Sequence, residues 1–176
     1  MAAPVDPNRR AGAVGPIVHG PRERIAGAVY GTIVVLGVLA AGSDSASIDA
    51  WELDVLMVAT VAVLWVAHVY AHALAASLAS GLRLDAAAIT SLARREIPIV
   101  LAAVGPALVL LLGVFGLVSD EAAAWLAVGV GSLTLAIMGF RYARIASLGL
   151  LGTIVVVGAN LSLALLIAAL KVAVEH

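Results

Sequence analysis

The chain has 176 residues, of which 63% are hydrophobic and 12% charged, with a mean hydropathy of +1.12. A soluble domain of this size carries roughly a quarter charged residues on its surface, so this composition belongs in a bilayer. The absence of cysteine excludes disulfides, thiolate metal sites and cysteine nucleophiles, and a net charge of -1 argues against a nucleic-acid partner.

Met1 to Arg24 contains Pro4, Pro7, Pro16 and Pro21 among three glycines, with arginines at 9, 10, 22 and 24. No apolar run there is long enough for the core of a signal peptide. The segment reads as a disordered cytoplasmic tail, followed by a transmembrane domain over 25–176.

Five apolar segments follow, over about 25–42, 55–82, 97–118, 122–146 and 148–174. Each approaches or exceeds the roughly 20 residues that cross a bilayer as a helix. Pro98 falls in the first turn of the third span, where a missing N–H costs little, and Gly105-Pro106 should kink its middle. The stretch "GFRYARIASLG" offers no obvious loop, so the fourth helix should run on through Arg141 and Arg144 and turn near Ser147 to Gly149. Between spans two and three, "LDAAAITSLARRE" is helix-prone and Asp85 is placed to cap it. It reads equally well as a helix along the membrane surface and as an extension of the third span.

The charges between spans give the orientation. With five spans, Arg9, Arg10, Arg22, Arg24, Arg83, Arg94, Arg95, Arg141 and Arg144 all fall on one side. The other side carries Asp44, Asp49, Glu52, Asp54, Asp120 and Glu121, with Lys171 as its one basic residue. The positive-inside rule then puts the N-terminus in the cytoplasm and the C-terminus outside. A four-span or six-span count would spoil this asymmetry. The expected fold is an all-α, polytopic bundle of five transmembrane helices in a bacterial inner membrane, with the lipid bilayer as its first partner.

Polar residues inside the spans are few. In "LWVAHVYAHALA", His68 and His72 stand four residues apart on one helix face, one turn beyond Trp65. Unpaired polar groups in hydrocarbon are costly, so this face should look into the bundle or a watery cleft. Four readings compete for the pair: interhelical packing, proton or small-ion handling, a metal site, and axial ligation of haem. For metal or haem the chain offers no further histidine at that depth, since His19 and His176 lie in opposite terminal regions, and no carboxylate at matching depth. Tyr30, Thr60 and Asn160 are the other candidates for a polar interior. Asn160 should act as interhelical glue, and His68 lies at a depth where it could be its partner. The acidic group Asp44, Asp49, Glu52 and Asp54 reads as solvated loop charge, with a cation-attracting mouth as the sharper alternative. Trp51 and Trp125 read as interface anchors.

No nucleophile elbow or triad is visible around Ser77 or Ser132, which points away from hydrolytic enzymes. Gly27 and Gly31 form Gly-x-x-x-Gly, and Ala71, Ala75 and Ala79 make a smooth ridge, patterns that serve internal packing or a homo-oligomer. The block "YGTIVVLGVLAA … DAWELDVLMVATVAVLWVAHVYAHALA", Tyr30 to Ala75, resembles small polytopic integral membrane proteins of GC-rich bacteria, a group without an assigned activity. A fainter likeness is to bacterial potassium channels whose first helix carries Arg…Phe-Ser-Asp. Here Ala28-Val29-Tyr30 stands where that motif would fall, and those channels use six helices. The functional expectation is a non-enzymatic channel or transporter-like unit with His68 and His72 as its polar interior. The alternatives are a structural or accessory membrane subunit and, third, a metal- or haem-binding membrane protein.

Overall fold

The computed structural model describes residues 21–42, 49–81 and 85–174, and the regular elements among them are all α-helices. These are α1 (Pro21–Gly42), α2 (Ala50–Ser80), α3 (Ala86–Arg95), α4 (Ile97–Val114), α5 (Asp120–Ile145) and α6 (Leu150–Val174). All except α3 are long and apolar enough to cross a membrane, which gives the expected five spans. Most of the expected tail, with His19, lies outside the described residues, as does His176. Pro21 to Arg24, assigned to that tail from the sequence, instead form the first turn of α1.

Side-chain caps set where several helices begin. Asp49 accepts a hydrogen bond from the backbone N–H of Glu52 at 2.8 Å, so α2 starts at Ala50 and not near Val55. Glu52 in that first turn also faces the positive end of the helix dipole. Ser119 caps α5 by accepting from Ala122 N–H at 3.2 Å, which brings Asp120 and Glu121 into the helix. Asp49 and Glu52, expected as loop charge, thus start a helix, while Asp44 lies outside the described residues.

The helix ends follow equally local rules. α4 stops at Val114, four residues short of the expected boundary. Gly116 takes φ +69°, its N–H bonds Gly113 O, and Leu117 N–H bonds Leu112 O. These paired bonds satisfy carbonyls that the helix end would leave open. α5 ends the same way, with Ser147 at φ +53° and Leu148 N–H on Ala143 O, so the turn falls where the sequence placed it.

α3 is a helix of its own, capped by Asp85 on Ala88 N–H at 2.8 Å. Proline accounts for the break between α3 and α4. Pro98 has no N–H for the Arg94 carbonyl and its ring would clash there, so continuous helix is interrupted at Glu96 and resumes at Ile97. Pro106, by contrast, is accommodated inside α4.

α1, α4 and α5 each pack against the other two, α2 lies against α4 and α1, and α6 lies against α5 and α1. Lipid tails are as apolar as leucine, so close packing rather than burial from water holds such helices together. A side chain at Gly31 would place its Cβ 2.6 Å from Ile99 O, which shows how closely α1 approaches the α4 backbone. Leu36 of α1 fills the notch left by Gly131 of α5. Around these contacts Val35, Leu39, Met57, Val61, Ile99, Leu110 and Leu135 form one sealed apolar core.

The outer surface is equally apolar. Val63, Leu78, Leu101, Leu108, Leu150, Leu151 and Leu165 are exposed, as suits helices with protein on one side and lipid on the other. Trp51 in the first turn of α2 and Trp125 in the second turn of α5 lie at the acidic end of the bundle, where indoles suit the head-group layer.

Candidate functional site

α2 changes character along its length. Its buried residues, Ala50, Leu53, Asp54, Met57 and Val61, all lie in its first half. Beyond Val61 nothing on α2 is fully buried, and a cleft of about 490 Å³ opens beside it. Its walls are Ala26, Gly27 and Tyr30 of α1, His68 and His72 of α2, Leu92 and Arg95 of α3, Glu96 at the break, and Ile99 of α4. The cleft therefore lies toward the arginine-bearing end of the bundle.

α3 is held against this wall by a specific bond. Trp65 donates its indole N–H to the Ala93 carbonyl at 3.1 Å. Ala93 is in the last turn of α3, where carbonyls lack partners within the helix, so the indole satisfies one of them. The bond fixes the α3–α4 break, and with it Glu96, opposite α2.

Four of the lining side chains form a polar row. The rings of Tyr30 and His68 are 5.0 Å apart between centroids, and those of His68 and His72 are 6.2 Å apart, edge to face. His72 Nδ1 is 3.0 Å from Glu96 Oε1, with the Glu96 side chain 17% exposed and that of His72 53%. His68 Nδ1 sits 3.1 Å from the Leu64 carbonyl. A carbonyl only accepts, so that Nδ1 carries the hydrogen and Nε2 is the basic nitrogen of the neutral ring. A carboxylate at Nδ1 imposes the same tautomer on neutral His72, and makes the contact an ion pair when the ring is protonated. Both imidazoles thus keep Nε2 as the atom for a proton or a ligand.

The sequence had assigned no carboxylate to the depth of the histidines. Glu96 corrects that: it stands at the head of α4, at the same end of the bundle as His72 on the last part of α2. The two positions match once both are counted from the arginine side. Arg95 is a second lining residue that the sequence left among interfacial charges.

The other expected polar residues go elsewhere. Tyr30 is in the row, but Thr60 donates to the Leu56 carbonyl of its own helix at 2.7 Å and does not line the cleft. Asn160 does not meet His68. It lies over Gly139 and donates Nδ2–H to the Leu135 carbonyl at 3.3 Å, joining α6 to α5 on another side of the bundle. Asp54 is corrected too. It is 8% exposed, inside the packed half of α2, and its Oδ1 is buried without a hydrogen-bond partner. Among the described residues no three His, Asp or Glu side chains are grouped to hold a metal ion.

No family model matches the chain, and neither a curated protein nor a solved structure matches it.

Proposed function

We propose that the protein is a small, non-enzymatic, transporter-like unit of a bacterial inner membrane that takes up protons or a small cation through the Tyr30–His68–His72–Glu96 cleft. The observation that carries this reading is the 3.0 Å contact between His72 and Glu96. An imidazole and a carboxylate from separate elements converge in a cleft to which α2 adds a second imidazole and α1 a phenol. Such rows pass a proton from one group to the next, and ionisable groups at membrane depth mark conduction paths.

The closed end of the cleft favours a carrier over an open pore. Toward the acidic end the bundle is filled by Val35, Leu36, Leu39, Met57, Val61 and Leu110, all buried. Asp54 is the buried ionisable group beyond that layer, 14 positions before His68 on the same helix, about 21 Å at 1.5 Å per residue. By the positive-inside assignment the open cleft faces the cytoplasm.

The test is proton and cation flux into liposomes that carry the purified protein, read with entrapped pH- and ion-sensitive dyes. Wild type should conduct above empty vesicles, and His72→Ala should lose about ten-fold or more while keeping its melting temperature. A wild type without flux for protons, sodium or potassium overturns the proposal.

A structural or accessory role is favoured by one contact, the Tyr30–His68 ring pair that ties α1 to α2. In that reading His68→Leu unfolds or is degraded. A folded but inactive His68→Leu protein decides for transport.

A further inference from the structure

A second cleft, of about 660 Å³, opens at the arginine end between α1, α4 and α5. Arg24 comes from α1, Arg94 from the last turn of α3 and Arg141 from the last part of α5, so three elements distant in sequence each bring one arginine to the lining of the same space. Among the described residues no aspartate or glutamate lines it, in contrast to the histidine cleft with its Glu96. None of the three arginines forms an ion pair with a carboxylate among the described residues.

Below the arginines the walls are apolar: Ile25 and Ala28, Leu101 and Ala102, and Met138. Thr134, the deepest residue on α5, donates its hydroxyl to the Val130 carbonyl of its own helix and offers no donor to the cleft. It lies seven positions before Arg141, so the apolar wall extends about 10 Å from the charged row toward the membrane centre. Leu101, 61% exposed, opens that wall to the surrounding lipid.

We propose that this cleft seats an anionic phospholipid, with its phosphate on Arg24, Arg94 and Arg141 and the start of an acyl chain against Ile25, Leu101 and Met138. Guanidinium groups hold phosphate oxygens through paired, charge-assisted hydrogen bonds, and three that no described carboxylate pairs suit an anion in one place. A soluble anion has no use for an apolar wall beneath its binding groups. A lipid of the cytoplasmic leaflet brings both parts, at the side where the positive-inside rule puts these arginines. The site is separate from the histidine cleft and does not depend on its function.

The experiment is native mass spectrometry of the detergent-purified chain with phosphatidylglycerol or phosphatidylcholine added, beside thermal unfolding with each lipid and with 50 mM inorganic phosphate. Phosphatidylglycerol should bind at least about ten-fold more tightly than phosphatidylcholine, with a loss of about five-fold per arginine and about 100-fold in the Arg24→Gln/Arg94→Gln/Arg141→Gln protein. Arg144→Gln, at the same end of α5 but outside the cleft, should bind as wild type does. Equal binding of both lipids overturns the proposal, as does a loss in Arg144→Gln matching that in Arg141→Gln. Stabilisation by inorganic phosphate as large as that by phosphatidylglycerol assigns the site to a soluble anion and also overturns it. If the triple variant does not fold, Arg94→Gln and Arg141→Gln are compared singly, and wild-type binding in both is equally fatal.

Discussion

Glu96 Oε1 stands 3.0 Å from Nδ1 of His72, although Glu96 sits at the break between α3 and α4 while His72 lies on α2, on opposite sides of a chain reversal. The contact exists because Pro98 interrupts the helix just beyond Glu96 and Trp65 holds the end of α3 in place. Glu96→Gln keeps the size of the side chain and an acceptor oxygen but removes the charge that balances an imidazolium. Proton or cation uptake should fall by about ten-fold with little change in melting temperature. Unchanged uptake in that variant would reduce the pair to a packing contact.

Of the α1 glycines that face α4, Gly31 makes the closer approach. In Gly31→Ala the new Cβ would meet Ile99 O at 2.6 Å and Ile99 Cα and Ala102 Cβ at 3.0 Å. Two backbones must move apart, and overpacking of this kind costs about 1–3 kcal/mol. Gly27→Ala is the matched control, because its Cβ would sit at 3.6–3.7 Å from Pro98 and Ile99 in ordinary contact. Melting temperatures in one detergent compare the two, and equal effects would contradict the close approach.

Asp54 keeps a buried oxygen without a partner. An amide of the same shape carries no charge into the apolar half of α2, so Asp54→Asn should stabilise the bundle by about 1 kcal/mol. Thermal unfolding measures it. A lower melting temperature would show that the carboxylate has a stabilising partner. Uptake by the same variant reports whether a titratable group beyond the apolar layer serves transport.

His68 and Asn160 sit in separate contact networks, His68 with Tyr30 and Leu64, Asn160 with Gly139 and Leu135. Their substitutions should therefore be additive to within about 0.5 kcal/mol in a double-mutant cycle. Asn160→Ala alone should cost about 0.6–1 kcal/mol, the usual weight of one hydrogen bond between membrane helices. A coupling energy well above the additivity limit would link the two networks.

The five spans were legible because hydrophobic length needs only the sequence, and the arginine asymmetry was legible because it survives only an odd count. The turn at Ser147 was legible from the missing loop before it. The start of α2 at Asp49-Ala50-Trp51-Glu52 has a capping-box pattern, but its acidic residues look equally like loop charge until the helix is seen to begin there. Of the lining, the histidine face with Trp65 follows from spacing, and Tyr30 stands out as one of the few polar residues inside a span. Glu96 was hidden because its neighbour depends on how far two separate helices run, and that is a tertiary fact. The Asn160–His68 pairing failed for a related reason. Equal depth brings two residues to one level of the membrane, but the order of helices around the bundle decides whether they meet.

The last helix has a looser bond with the rest than any other span. Within the window of α6 that reaches spanning length only 6% of residues are buried, and Ala164 is its one fully buried member of the core cluster. The contacts among α1, α2, α4 and α5 do not involve it. During synthesis those four helices leave the ribosome before α6 does, so they have the means to assemble first and receive α6 as a late addition to a finished surface.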